Sequence, residues 1–275
     1  MNYLILVLDI GNTNITIGVY DGNELFFESR LATDRNKTKY EYAVDLSCMF
    51  SVYNIDTSKI DGAMLCSVVP PLTTALSDAI FQIIGEPPMI VGPGIKTGLN
   101  IKIDDPSTLG ADFVADAVGA VNLYETPCII IDLGTATKIS VIDENNNFLG
   151  GVIIPGIGIS MNALTQNTAL LQSISFEKPK RVIGTNTSDS MKSGTVFGTA
   201  SMIDGMCDRI ESELQKKCSV IATGGFSPLI AENCRREVEL CDILVLEGLR
   251  ILYEKNKEKK IKLANSNNTP PNVYL

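Results

Sequence analysis

Hydrophobic and polar positions alternate in two recognisable ways along this chain, and the change from one period to the other marks its elements. Leu4 to Gly22 reads as an apolar run, a Gly-Asn-Thr-Asn turn and a second apolar run, which predicts strand, turn, strand. Glu24 to Leu31 adds a third strand after the Asp21-Gly22-Asn23 turn. Thr38 to Tyr53 is an amphipathic helix candidate, Ile60 to Val69 an apolar strand ending at Pro70-Pro71, and Leu72 to Ile84 has helical spacing. Met89 to Val91 forms a short strand, and the Gly92 to Gly98 loop leads into Leu99 to Ile103. A helix then runs from Val114 to Leu123, with Asp112 in its first turns.

The second half replays this order. Strands are predicted near Cys128–Asp132, Lys138–Asp143 and Phe148–Ile154, then a Pro155-Gly156-Ile157-Gly158 turn and a helix through Leu171. Apolar residues recur at helical spacing from Ser190 to Leu214. Ser219 to Thr223 is a buried strand delivering Gly224-Gly225, which could let an adenosine approach the backbone. Helices are expected from Leu229 to Arg236 and from Leu244 to Glu254, and the polar stretch from Lys255 to Leu275 is expected to be mostly disordered.

The replay extends to individual residues. Asp9 and Gly11 match Asp132 and Gly134 at a spacing of 123 residues. Two copies with a period near half the chain indicate a duplicated half-domain and not a solenoid. Each copy places a carboxylate where a buried strand meets an open turn, and two such halves facing each other across a cleft would suit the phosphates and metal of a nucleotide. The expected fold is therefore α/β, with two mixed sheets and a central cleft. The domains divide into residues 1–113, 114–254 and the 255–275 tail.

Composition narrows the chemistry. The 275 residues include no histidine, which excludes Ser-His-Asp and Cys-His mechanisms and leaves carboxylates, Lys or Tyr as acid–base groups. Seven cysteines without C-x-x-C spacing read as reduced thiols. A net charge of -9 argues against nucleic-acid binding. The absence of a long apolar run or a basic leader argues for a cytoplasmic protein without a membrane span. Asp112 has two readings by position: a charge complementing the helix dipole, or a functional carboxylate between the two repeats.

The duplicated Asp-x-Gly turns with the late Gly-Gly are the ground plan of the actin, hexokinase and sugar-kinase superfamily, built from two ribonuclease-H-like halves. Asp9 to Asn14, Ser67-Val68-Val69-Pro70, Gly92-Pro93-Gly94, Gly110-Ala111-Asp112, Asp132 to Thr137, Gly150 to Gly156 and Asn186 to Met191 together closely resemble the type III pantothenate kinases. That resemblance implies ATP-dependent phosphorylation of pantothenate, the first step toward coenzyme A, by a homodimer using Mg²⁺ and K⁺ (or NH₄⁺). It implies phosphate contacts from Asp9, Ile10, Gly11, Asn12, Thr13, Asn14, Ile15 and Thr16, and ATP contact at Thr135. It also implies a potassium ion at Asp132, substrate contacts at Gly110, Ala111, Asp112, Phe113 and Thr187, and Asp112 as proton acceptor.

Two positions depart from the family pattern. Phe113 stands where the family has an Arg beside the substrate's carboxylate, and Ile103 where a Tyr is expected. A neutral aromatic cannot replace a charge-assisted Arg contact, so another cation serves or the substrate differs. The rival readings are a kinase of the same fold acting on another small alcohol, and a nucleotide-binding regulatory paralogue without catalysis.

Overall fold

A computed structural model describes residues 3–267. The chain forms two compact units, and they are interleaved along the sequence. The first comprises the chain up to Gly98, Leu109–Val118 and the segment from Val245 onward, and the second comprises Leu99–Thr108 and Gly119–Leu244. A single cut near residue 113, as the order of motifs suggests, falls inside a helix of the first unit.

In the first unit, β1 (Leu4–Ile10), β2 (Asn14–Asp21) and β3 (Glu24–Ala32) form an antiparallel meander. Next come α1 (Lys39–Val52), β4 (Ile60–Ser67), α2 (Pro70–Ile84) and β5 (Met89–Ile90). The sheet order is β3-β2-β1-β4-β5, with β4 parallel to β1 and β5 parallel to β4. Residue alternation sorts β1 into two faces. Leu4, Leu6, Leu8 and Ile10 join the core built with Leu46 and Phe50 of α1 and Leu72 and Leu76 of α2. The opposite face is covered by the late helix α7 (Leu244–Asn267), whose Leu246 lies with Val7 against Gly18, while Tyr253 lies against Gly62. The odd-numbered positions of β1, Asp9 included, belong to this second face.

The second unit begins with the short β6 (Asn100–Ile101). After α3 (Ala111–Leu123), whose first eight residues belong to the first unit, come β7 (Cys128–Leu133), β8 (Ala136–Ile142), β9 (Asn147–Pro155), α4 (Ile157–Gln166), α5 (Thr187–Leu214), β10 (Ser219–Thr223), α6 (Ser227–Ala231) and β11 (Glu239–Leu240). Its sheet order, β11-β10-β7-β8-β9-β6, repeats the first: β9-β8-β7-β10-β11 corresponds strand for strand to β3-β2-β1-β4-β5, with β6 added at the edge. The directions match too, antiparallel within the meander and parallel beyond it. The duplication read from two Asp-x-Gly turns is thus a duplication of topology, and both sheets are mixed.

Helices α2, α3 and α5 begin two or three residues before the predicted starts, and three others differ further from what hydrophobic spacing predicts. Helix α4 stops at Gln166, not Leu171, because Asn167 Nδ2 donates to the Ala163 carbonyl and Thr168 Oγ1 to that of Leu164, satisfying terminal acceptors from outside the helix. The helix expected over Leu229 to Arg236 is α6, which starts at Ser227 with Pro228 in its first turn. It stops at Ala231, and beyond it the Arg235 and Arg236 amides turn to the Asp204 carboxylate. The last helix continues beyond Glu254 to Asn267, so the first part of the stretch expected to be disordered is helical. The remainder of that stretch, residues 268–275, lies outside the described residues.

Candidate active site

The Gly-Asn-Thr-Asn turn of the first unit is built by hydrogen bonds closing on themselves. Gly11 N–H donates to the Asn14 carbonyl at 3.0 Å, the Thr33 hydroxyl to the Gly11 carbonyl at 2.7 Å, and Arg35 Nη2 to Asn12 Oδ1 at 2.7 Å. A Cβ on Gly11 would come within 3.0 Å of the Asn14 carbonyl, so the turn needs a glycine there. Ile10 and Ile15, on the two strands flanking it, are buried. Asn12, Thr13 and Asn14 are exposed, and Thr16 is half-buried opposite Asp9. A tight turn with exposed, small polar side chains suits oxyanion binding. Arg35, folded over this loop, escaped the sequence reading; its place in a polar Thr-Asp-Arg-Asn run gives no period to detect.

Asp9 is the penultimate residue of β1, directly beside Cys66 of β4 in parallel register. The buried Cys66 thiol donates to Asp9 Oδ1 at 3.0 Å. Burial first, then the Asp9 carboxylate, push this thiol well above its ordinary pKa, so it remains a protonated donor. Asp112 and Asp116 of α3 also lie within electrostatic reach of Cys66. The first unit therefore gathers the turn carboxylate and the helix carboxylates around one thiol. Cys66 and Asp116 carried no sequence signal beyond residue type.

Gly110 precedes α3, and Ala111, Asp112 and Phe113 form its first turn, each half-buried. Asp112 Oδ1 accepts the Phe113 N–H at 2.9 Å. A Cβ on Gly110 would sit 2.6 Å from that same oxygen and 3.3 Å from the Phe113 ring. Gly110 is what lets the carboxylate fold back over the start of the helix. This hydrogen bond is the dipole-complementing role foreseen for Asp112, and with the carboxylate half-buried it remains compatible with a second, chemical one.

In the second unit, Asp132 is penultimate in β7 and Thr135 stands exposed in the following turn, where Gly134 N–H donates to the Ala136 carbonyl at 3.2 Å. Gly224, at φ 90°, closes on this corner: a Cβ there would lie 2.7 Å from Asp132 Oδ1 and 2.8 Å or less from Leu133 backbone. The close approach Gly224 permits is therefore to Asp132 itself, whereas Gly225 has open space around it. Thr187 is the first residue of α5, capped by Asn186, whose Oδ1 accepts the Asp189 N–H at 2.8 Å. With Thr137, Asn186, Ser190 and Met191 it lines a cavity of about 890 Å³ between α4 and α5.

The groups implied by the resemblance differ in how well they fit. Mg²⁺ uses one or two carboxylates together with substrate phosphates, and Asp9 beside the Gly11 turn meets that need without a larger cluster. Among the described residues no group of three or more His, Cys, Asp or Glu could hold a metal ion. Potassium at Asp132 does not fit. Lys138, directly opposite on β8, places Nζ 2.7 Å from Asp132 Oδ2, with both side chains largely buried at 12% and 19% exposure. A second unit charge about 4 Å from that ammonium would be repelled by about 4 kcal/mol at an effective dielectric near 20.

The type III pantothenate kinase family model matches residues 5–209. A type III pantothenate kinase from Halalkalibacterium halodurans is 44% identical over 253 residues, 92% of this chain and 100% of its own length. One from a Geobacillus species is 43% identical over 258 residues, 94% of this chain and 100% of its own. Among solved structures, the activator of 2-hydroxyisocaproyl-CoA dehydratase from Clostridium difficile, with bound ADPNP, superposes with a TM-score of 0.56 at 13% identity. That match covers 96% of this chain and 98% of the activator, and it speaks for the duplicated fold alone. Among the described residues no helix is long and apolar enough to cross a membrane. On the family match and these end-to-end identities, the chain belongs to the type III pantothenate kinase family.

Proposed function

We propose that this protein transfers the γ-phosphoryl group of ATP to the primary hydroxyl of pantothenate, giving 4'-phosphopantothenate. The observation that carries this reading is the family match over residues 5–209, which spans the turn at Asp9, the Asp112 helix start and the turn at Asp132. Phosphoryl transfer asks the protein mainly for positioning and charge stabilisation, and these elements offer both. In this reading the turn from Gly11 to Thr16 holds phosphate oxygens through the hydroxyls and side-chain amides of Asn12, Thr13, Asn14 and Thr16, with Gly11 shaping it and Arg35 adding charge beside Asn12. Thr135 contacts the nucleotide. Asp112, at the start of α3, accepts the proton of the attacking hydroxyl, while Gly110, Ala111, Phe113 and Thr187 contact the substrate. Asp9 would hold Mg²⁺, which when bound neutralises charge on the phosphates.

Homodimerisation, expected from the family resemblance, is tested by light scattering of the purified chain. The decisive experiment for the activity is turnover with ATP, Mg²⁺ and pantothenate, with the phosphorylated product identified by mass. No product in any salt would overturn the assignment. One residue favours a second reading, a different small alcohol as acceptor: Phe113 brings no charge to a substrate carboxylate. A panel of primary alcohols with and without a carboxylate separates the two, since a preference for an uncharged acceptor would select the second.

A further inference from the structure

We infer that Lys138 supplies, from within the chain, the positive charge at Asp132 for which a free monovalent cation was expected, so that phosphoryl transfer here needs neither K⁺ nor NH₄⁺. The inference deepens the kinase reading above and rests on it. Asp132 and Lys138 are direct cross-strand partners in the antiparallel β7–β8 pair, so their side chains leave the sheet on the same face. The ammonium sits 2.7 Å from Asp132 Oδ2. On that same face Thr223 of β10, in register beside Asp132, is buried, and the two side chains of the pair are themselves shielded to 12% and 19% exposure. A pair so enclosed is neither an exposed ion pair of negligible strength nor easily displaced by a solvated ion, because separating it would leave two charges poorly hydrated.

The duplication supplies an internal control. In the first unit the residue opposite the equivalent carboxylate, Asp9, is Thr16, which carries no charge. The cation is thus a property of the second copy, the copy for which the resemblance calls for a monovalent ion. An alkylammonium offers the same unit charge and N–H donors as NH₄⁺, and its tether removes the entropy of capturing an ion from solution.

The test compares the full-length protein with Lys138→Thr, which reproduces the residue type opposite Asp9, and with Lys138→Gln, which keeps most of the side-chain length. Pantothenate phosphorylation is measured in chloride salts of tetramethylammonium, Na⁺ and K⁺, and each protein is also melted in the same salts with MgATP and titrated with Tl⁺ by thallium NMR. The wild type is expected to vary by no more than about twofold among the salts, to melt at one temperature and to bind no Tl⁺. A folded variant is expected to lose about tenfold or more in tetramethylammonium, to regain activity with K⁺ or NH₄⁺, to bind Tl⁺ and to melt higher in K⁺. A wild-type rate raised about tenfold by K⁺, saturable Tl⁺ binding to the wild type, or folded variants that no cation rescues would each overturn the inference. If the wild type phosphorylates nothing in any salt, the kinase reading fails, while the melting and Tl⁺ measurements still decide the cation.

Discussion

At the scale of single residues, the site's chemistry depends on contacts that fix where two carboxylates point. Asp9 accepts from the Cys66 thiol, and an Asn at position 9 could keep that bond through its own Oδ1, so Asp9→Asn should fold normally. If Asp9 holds the metal of the phosphates as proposed, the change removes that charge, and a fall in kcat of two orders of magnitude or more is expected, on the order of 3 kcal/mol of transition-state stabilisation. Unchanged turnover would remove Asp9 from the site. Gly110→Ala tests Asp112 without touching it. The new methyl would come 2.6 Å from Asp112 Oδ1, a movable side-chain atom, so the carboxylate swings aside at little cost to stability. Steady-state kinetics should then show kcat falling about tenfold or more with the melting temperature nearly kept, because misplacing a base weakens proton transfer directly. The sequence places Asp9 and Asp132 at strand–turn junctions and Asp112 at a helix start, as the structure has them, because carboxylates at such junctions leave a visible pattern. Sequence reading missed Cys66, Arg35 and the Lys138 pairing with Asp132, because these are set by register between strands or by loop closure, which no single-strand period reveals.

At the scale of elements, the long strands were legible to within about two residues, since buried apolar runs bounded by turn residues have few alternatives, whereas the two-residue, exposed β11 gave no such run. Helix ends were not legible, because α4 and α6 are stopped by side chains that bond terminal carbonyls or capture amides across the fold. The C-terminal end of α5 shows such a contact with a consequence for pH. Glu211, buried there, accepts from Lys217 Nζ at 2.8 Å, from the Cys218 N–H at 3.1 Å and from Arg236 Nη2 at 3.3 Å. Burial alone would raise its pKa, and these three bonds outweigh that and hold it below the ordinary carboxylate value. A depressed folded pKa stabilises the fold above the unfolded value, about 4.3. That contribution is lost as pH falls through the lower folded value. Glu211→Gln should therefore melt below the wild type at neutral pH and lose less on acidification from about pH 5 to about pH 3. Parallel wild-type and variant curves over that range would mean the carboxylate contributes no such linkage.

At the scale of the whole molecule, the repeat was legible and the division of the chain was not. Two Asp-x-Gly turns announce two copies, and the matching strand orders bear the duplication out, but chain order gives no sign that α7 returns to the first unit. An amphipathic helix states that it buries a face and not which sheet it buries it against. Here the answer is written in close approaches: a Cβ on Gly248 would lie 1.9 Å from the Ala115 carbonyl, so α7 and the start of α3 meet nearly backbone to backbone. Tyr253 OH donates to Asp61 Oδ2 at 2.8 Å, and Asn256 closes on Lys96 through both its amide oxygen and nitrogen. Leu246, Leu249, Leu252 and Tyr253 are each buried to 2% exposure or less. At roughly 1.5–3 kcal/mol for each such side chain, removing the four forfeits about 6 kcal/mol or more, comparable with the 5–15 kcal/mol that holds a typical domain. It would also lay open the Val7 face of the sheet, on which Asp9 and Cys66 stand. A protein ending at residue 243 should consequently lack a folded first unit even though all five strands of that sheet are present, and residues 1–113 expressed alone should behave likewise. Hydrogen exchange would show it as rapid exchange of the β1 and β4 amides while those of β7 and β10 remain protected. Protected β1 amides in the truncated chain would mean that α1 and α2 alone sustain the sheet and that α7 serves some other purpose.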